Sequence, residues 1–593
     1  MIITNLATWA YKPELEGLLF FSQRLLELSY DRSDYVEKNI KVPLKDIITE
    51  CLEYIELQEK GLHITSDTEL NMLYDEIREN IRTDSVVKKL LNEKAEVYLS
   101  KLNASNDNKE LKNILELIKF KIPSQRYLNE VVEQLKEAIS TPKQKKKIQN
   151  LTDKLYEFLV SYGYQKGTIY FLTNRHFFDK SGINKVSSLE DLAAFLEYFD
   201  LEYKEFEVIF TASKIYNEIS EACKNLNLKI FSTKEHVYNE ILENKFFRNP
   251  RDKKVFLSCA NVEAVDYQHA MRVAASRVGM LSDLLVVFSH RTKPWFSDYC
   301  LVYNHSKNHV VNISKQTNMM SSLSEADFAH TKDIFPVFLS NFGLEQDSFK
   351  RFIRSVELHA HALENDETAS QILNLWICLE ALLITGKTKS HISTVIESIS
   401  LIYSFYAVRH RVCALKDIFL KWNEIEFRAV MGNLGIIDEE EAMAALLSVK
   451  QYEKIAVDLL SKLDEQPLIR FKFINLVNIL QTRKGISNLI EEEKSKCEKD
   501  LRRVYRTRNK IVHQGDINGH KDYLVEMAHF YLDLVLFSII ERKVSFDDIS
   551  SIDNLIQEMR INIECHKSYL KEKNKTDELV PTDFKNVLFG PSS

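Results

Sequence analysis

Only 14 glycines and 10 prolines occur in 593 residues. Glycine supplies the positive backbone angles, and proline the fixed ones, on which tight turns depend. A chain this poor in both cannot close many hairpins. Collagen-like segments, serial Gly-rich phosphate loops and turn-rich all-β architectures are therefore excluded, and helices are favoured. Hydrophobic residues at 45% and charged residues at 28% are the proportions of a globular chain. That content argues against disorder along most of its length. The length predicts about four structural units, or two or three larger ones. Lys and Arg number 79 against 86 Asp and Glu, a net charge of −7. Any nucleic-acid surface must then be a local patch rather than a property of the whole chain.

Hydrophobic spacing divides the chain into three. Residues 1–150 read as a helical region, with three- and four-residue apolar spacing over 18–30, 44–57, 69–81 and 86–99. Polar breaks fall at 103–108 and at 141–147, where Lys143, Lys145, Lys146 and Lys147 read as a solvated linker or helix start. Residues 151–323 read as an α/β or α+β domain, with a possible sensory or regulatory role. Short β-branched and aromatic runs there predict strands at 168–172, 206–210, 228–231, 255–257, 284–288 and 300–303. A helix is expected over 266–280 and a hairpin turn at 304–309. Residues 324–593 return to helix, with the longest segments at 372–384, 392–406, 490–512 and 522–540. The expected fold class is mainly α and multidomain, with this central mixed domain.

Eight cysteines are scattered with no Cys-x-x-Cys pair, so neither a zinc ribbon nor a dithiol redox site has support. Such thiols suit a reducing cytoplasm. The N-terminal residues lack a basic stretch followed by an apolar one. The apolar run 530–540 is interrupted by Asp533 and is too short to span a bilayer. The expected location is cytoplasmic, with no membrane partner.

The most informative segment is Leu501 to Asp516. On a helix, Arg508 falls at the centre of the apolar stripe formed by Leu501, Val504, Tyr505, Ile511 and Val512. A guanidinium cannot be neutralised and is costly to bury alone. Asn509 and His513 share one flank, a turn apart, and Gly515 is a helix stop. The helix over 373–384 carries the mirror anomaly: Glu380 lies in the middle of an apolar stripe. The expectation is that the two helices pack and Glu380 contacts Arg508.

The run Arg508-Asn509-Lys510-Ile511-Val512-His513 resembles the Arg-x(4–6)-His motif of HEPN domains. The upstream Leu375-Trp376-Ile377-Cys378-Leu379-Glu380-Ala381-Leu382-Leu383 is similar to the Glu-bearing helix of the ApeA-like HEPN group. The order of elements is similar too: Glu helix, intervening helices, Arg–His helix, then a strongly apolar helix. Two features depart from the pattern. The segment between Glu380 and Arg508 is long, with extra helices over 423–480, and Gln514-Gly515 stand where one HEPN subgroup has a modified tyrosine.

The resemblance implies a C-terminal helical bundle that acts as a metal-independent endoribonuclease, without cofactor, as a homodimer. It implies attack of the ribose 2′-hydroxyl on the adjacent phosphate, with His513 as acid/base, Arg508 as phosphate stabiliser, Asn509 as a positioning group and Glu380 in support. Arg502, Arg503, Arg506 and Lys510 would steer the RNA backbone. It further implies anti-phage defence by abortive infection, with tRNA as candidate substrate and a phage-derived trigger for a normally silent toxin. The other functional classes left open are a non-catalytic scaffold and a ligand-sensing subunit of a defence complex.

Other strings fit structural roles better. Thr385-Gly386-Lys387-Thr388 lacks the first P-loop glycine, since position 381 is Ala381. Asp191 with Glu202-Tyr203-Lys204 reads as a solvated face. His359 and His361 are two apart and would diverge on a helix, and His305 and His309 straddle the expected turn. No metal site is expected at either pair. Tyr170, Phe171, Phe206 and Phe210 read as sheet core rather than a base-stacking platform.

Overall fold

The structure, a computed structural model, describes residues 3–10, 13–31, 41–61, 67–102, 107–179, 185–220, 223, 227–231, 245–247, 254–288, 294–314, 320, 336, 343–365, 367–384, 391–515, 522–545, 550–571 and 577–590. Among these residues the chain is mainly helical, with one small antiparallel sheet. Among the described residues ten α-helices precede the sheet: α1 (Glu16–Ser29), α2 (Leu44–Glu59), α3 (Asp67–Thr83), α4 (Ser85–Leu91), α5 (Ala95–Lys101), α6 (Asn108–Lys121), α7 (Ser124–Ser140), α8 (Lys145–Tyr162), α9 (Lys166–Phe177) and α10 (Glu190–Leu196). The strands are β1 (Lys204–Ser213), β2 (Leu228–Phe231), β3 (Lys254–Ala264), β4 (Phe296–Asn304) and β5 (His309–Ser314), with α11 (Tyr267–Phe288) between β3 and β4. Then come α12 (Gln346–Glu364), α13 (Thr368–Leu383), α14 (His391–Gly432), α15 (Glu439–Ser448), α16 (Glu453–Ser461), α17 (Pro467–Leu480), α18 (Arg483–Gln514), α19 (Asp522–Ser545), α20 (Ile552–Leu570) and α21 (Phe584–Phe589).

The first helices form two cores. One joins α2 to α6 through residues such as Ile47, Tyr54, Leu73, Ile77 and Leu115. The other is built around α1 from α7, α8, α9 and α10. Every residue of α1 from Leu18 to Ser29 is buried, charged ones included. Burial of Arg24 is tolerated because it bonds Glu27 at 2.7 Å and Asp153 at 2.8 Å, and Lys472 of α17 reaches Glu27 at 2.8 Å.

The sheet has the order β2-β3-β1-β4-β5. Strict alternation along β1 sends Phe206, Val208 and Phe210 toward α11. Ile209 goes to the opposite face with Phe231, Phe256 and Leu301. The expected hairpin is present: Val302 faces Val311 and Tyr303 faces Val310. The Asn304 side chain accepts from the Lys307 amide at 3.0 Å to close the turn. Phe206 and Phe210 are therefore core residues.

Two expected strands are helical. Residues 168–172 lie in α9, where Ile169 and Thr173, one turn apart, are buried while Phe171 is 57% exposed. Residues 284–288 are the end of α11, beyond its buried stripe Ala270, Ala274, Val278 and Leu281, and Leu284 is 51% exposed. A short apolar run reads alike in both conformations, and the packing partner decides. The expected single helix over 86–99 is two helices, broken where Asn92 takes a positive φ of 52°. The expected boundary at 150/151 falls inside α8, and α8, α9 and α10 all belong to the core around α1. The helical unit therefore extends to about the start of β1. The expected loop at 103–106, the start of the 324–593 region through 335, and Thr385 to Thr388 lie outside the described residues.

The last ten helices share two cores, and α14 and α18 each run through both. Cys497, Leu501, Val504 and Ile511 of α18 pack with α12, α13, α19 and α20. Ile486, Leu489 and Ile490 pack with α15, α17 and the second half of α14. α14 bends at Asn423, which leaves helical geometry and whose side chain accepts from the Glu426 amide at 3.1 Å to restart the helix. α19 is long and apolar enough over Asp522–Val544 to cross a membrane, and 67% of its most apolar window is buried inside the protein, as in a core helix.

The 32 residues of α18 span about 48 Å at 1.5 Å per residue. Its start is held by Thr482, whose hydroxyl accepts from the Gly485 amide at 3.0 Å. A Cβ at Gly485 would lie 2.1 Å from the Ile479 carbonyl oxygen. Gly485→Ala is expected to destabilise this end of the bundle by about 1–3 kcal/mol, read as a lower urea midpoint for unfolding. An unchanged midpoint would show that the α17–α18 junction yields freely.

Candidate functional site

α18 ends where expected. Gly515 takes a left-handed φ of 64° and its amide bonds the Ile511 carbonyl at 3.1 Å. A non-glycine residue would be strained there. His513 thus lies in the last helical turn, exposed, and makes no hydrogen bond or ion pair among the described residues. Val512 beside it is 48% exposed. Asn509 is 3% exposed, and its side-chain oxygen accepts from Arg508 Nη1 at 3.1 Å. Arg508 is half-buried, and its Nε is buried with no partner among the described residues.

α13 packs against α18, as the mirrored sequence anomalies suggest, with Trp376 against Tyr505 at 5.2 Å between ring centres. The expected Glu380–Arg508 contact is not made. Glu380 Oε1 instead accepts from the Trp376 indole at 2.7 Å. Trp376 stands one turn before Glu380 on the same helix, so its N–H reaches the carboxylate without any movement of α18. Arg508 turns to Asn509, and its position is set from within its own helix.

The four residues expected to steer RNA are engaged by the N-terminal helices. Arg502 bonds Glu69 at 2.6 Å. Arg503 pairs with Glu76 and lies 3.7 Å from Glu50. Arg506, 1% exposed, bonds Glu50 at 2.7 Å and Glu69 at 3.2 Å, with Glu76 at 3.7 Å. Lys510 pairs with Glu53 and lies over the Tyr54 ring at 5.3 Å. One turn before Arg503, Lys499 reaches Glu79 at 2.6 Å. In this structure the basic flank of α18 is therefore an internal seam against α2 and α3, and not an open phosphate surface.

Burial opposes the charge on Glu50, but Arg506, Arg503 and Lys510 outweigh it and hold the carboxyl below its usual range. Burial likewise opposes charge on Arg506, and Glu50 and Glu76 reverse that and raise its pKa. The acidic partners were missed in the sequence. A signal exists, since Glu69 and Glu76 are seven residues apart and share one face of α3, but a run of cations reads first as a nucleic-acid surface. Beside this seam lies a cavity of about 1100 Å³, with Asp153, Lys154, Arg411, Glu493 and Arg503 among its lining residues.

No family model, curated protein or solved structure matches this chain. The reading of the site therefore rests on its own residues. Arg508 and His513 are five positions apart, about 140° around the helix. A single motif therefore presents its cation and its imidazole in different directions.

The remaining sequence candidates have structural partners. Asp191 caps the start of α10, accepting from the Ser187 and Ser188 amides at 3.0 Å each. Lys145 bonds Glu16 at 2.7 Å and Lys147 lies 3.4 Å from Glu137. His309 meets the Tyr267 hydroxyl at 3.1 Å, and His305 packs on Tyr303.

Glu50→Gln removes one carboxylate from a seam that holds Arg503 and Arg506 out of water. The expected cost is about 3 kcal/mol, seen as faster proteolysis within α2 and α3. The same seam is expected to weaken in acid. The Glu50 pKa in the fold lies below its ordinary 4.5, so its contribution is complete above about that pH and is lost as pH falls through the depressed value. Proteolysis of wild type that does not accelerate below pH 4.5 would refute this.

Proposed function

We propose that the chain is a HEPN-like, metal-independent endoribonuclease of the ApeA-like type, with His513 as acid/base and Arg508 as phosphate stabiliser. The observation that carries the reading is the motif Arg508-Asn509-x3-His513 closing a long bundle helix, where, among the described residues, the exposed imidazole is unengaged and the guanidinium Nε has no partner. An imidazole titrates near neutrality and can take or give a proton. A guanidinium is always charged and suits phosphate oxygens.

In this reading one His513 takes the proton of the ribose 2′-hydroxyl, and the 2′-oxygen attacks the adjacent phosphorus. The bond from phosphorus to the 5′-oxygen breaks, and a second imidazole protonates that oxygen. The products are a 2′,3′-cyclic phosphate and a 5′-hydroxyl, which only RNA can yield. Arg508 stabilises charge on the pentacoordinate phosphate, and buried Asn509 fixes the direction of Arg508. The angular separation of Arg508 and His513 supports a homodimer in which two motifs face one cleft. Val512, apolar and exposed beside His513, is suited to such a contact.

The seam with α2 and α3 supports a restrained enzyme. Arg502, Arg503, Arg506 and Lys510 reach RNA only when those helices move. Such a latent toxin fits cytoplasmic anti-phage defence by abortive infection, with a phage-derived trigger and tRNA as candidate substrate. The substrate and the biology rest on the resemblance alone.

Supplied with lysate from phage-infected cells as the trigger, purified wild type in EDTA is expected to cleave cellular RNA to cyclic-phosphate ends. His513→Ala should lower the rate by about 10²–10⁴-fold. Equal RNA decay with the two proteins, or none with either in lysate from phage-infected cells, would favour a non-catalytic scaffold. Glu53→Gln combined with Glu69→Gln frees part of the basic flank and is expected to raise cleavage without a trigger. Cleavage no faster than wild type, with α2 and α3 more open to protease, would remove the restraint from this reading.

A further inference from the structure

A second constellation lies where α12 meets α19. His359 projects from α12, and His529 and Asp533 stand one turn apart on α19. The two Nε2 atoms are 2.9 Å apart, and the rings are stacked at 5.0 Å between centres. Asp533 approaches His529 Nε2 at 3.4 Å and His359 Nε2 at 3.9 Å. All three donor atoms lie within 4.8 Å of one another. We propose that His359, His529 and Asp533 form a mononuclear site for a zinc-class divalent cation that ties α12 to α19.

The geometry fits that ion. Zinc–nitrogen and zinc–oxygen bonds of 2.0–2.2 Å in a tetrahedron place neighbouring ligand atoms about 3.3 Å apart. The two nitrogens lie 2.9 Å apart, and Asp533 turns Oδ2 to His529 at 3.4 Å and Oδ1 to His359 at 3.9 Å, so a small rotation of the carboxylate brings one oxygen to both. Two imidazoles and one carboxylate suit zinc, cobalt or nickel, and not magnesium or calcium, which take oxygen ligands. Burial, and then the facing imidazole, push His529 below the usual histidine range, and burial does the same for His359. Side-chain exposures of 19% for His359 and 23% for Asp533 leave a way in, and room for a water as fourth ligand. No residue of the Arg508–His513 motif takes part, so this site and the ribonuclease reading stand or fall separately.

The test uses the full chain, stripped with EDTA and dialysed into metal-free buffer. Wild type is expected to bind one equivalent of Zn²⁺ in equilibrium dialysis and to show the visible absorption of tetrahedral cobalt when titrated with Co²⁺. His359→Gln and Asp533→Asn, each checked for native circular dichroism, should weaken Zn²⁺ binding by about a hundredfold or more. That exceeds most of the 10–100-fold range that outer-shell partners control. Zinc should raise the thermal midpoint of wild type and not of either variant. Binding to exposed Cys565 or to surface histidines would be the same in all three proteins. Equal Zn²⁺ binding by wild type and both variants, or no tetrahedral Co²⁺ spectrum in wild type, would overturn the proposal and leave a neutral, hydrogen-bonded histidine pair.

Discussion

Arg506 is a permanent cation at 1% exposure, and the carboxylates that make this possible come from helices more than 400 residues earlier in the chain. A guanidinium so placed would be prohibitive without them. Burial of Arg506 therefore requires α2 and α3 to dock on α18. With Arg502, Arg503 and Lys510 paired in the same way, one flank of one helix closes the N-terminal unit onto the C-terminal bundle. The other flank of α18 is apolar and lies in both cores of that bundle. A single helix thus joins three bodies of packed side chains, and its terminal turn carries the candidate catalytic imidazole.

In the proposed ribonuclease, this arrangement would link restraint to reactivity by geometry. Ion pairs inside a seam are specific in register but cost desolvation, so their net stabilisation over solvated charges is small. A polyanion competes for the same cations and releases counterions on binding. A seam of this kind is stable when left alone and sensitive to a strong anion or to a partner that binds the acidic helices. An apolar seam of equal area would hold more tightly and could not be competed open by phosphates.

Much of the fold was legible because helices of this chain carry apolar residues at helical spacing with few breakers. α1, α2, α3, α13 and α19 lie close to their expected bounds, α18 begins at Arg483 ahead of the expected 490, α14 runs on to Gly432 past the expected 406, and β1, β2, β3 and β4 follow their β-branched and aromatic runs. Two of the misses share one cause. Residues 168–172 and 284–288 are short apolar runs whose conformation is chosen by what they pack on, which local sequence does not contain. The break at Asn92 depends on one residue adopting a positive φ, and asparagine does so only sometimes. At the site, the stop at Gly515 and the contact of α13 with α18 were readable from spacing. The partner of Glu380 was not. A carboxylate with an indole one turn away on its own helix and a guanidinium on another has two chemically sound choices, and only packing geometry selects between them.

The same limit applies, more sharply, to cations. A cluster such as Arg502, Arg503, Arg506 and Lys510 attracts phosphate and carboxylate by the same charge and the same fork geometry. Composition cannot say which anion is present, because the carboxylates lie far away in sequence. What separates the two cases is burial. Arg503 and Arg506 are closed off at 7% and 1% exposure, whereas a phosphate-binding surface must stay wet until its ligand arrives. His513 and Val512 show the opposite state at the end of the same helix: both are exposed, and His513 makes no hydrogen bond or ion pair with any described residue. Within one 32-residue helix, the buried cations therefore explain how the chain holds itself together, and the exposed terminal turn is the part left to act on something else.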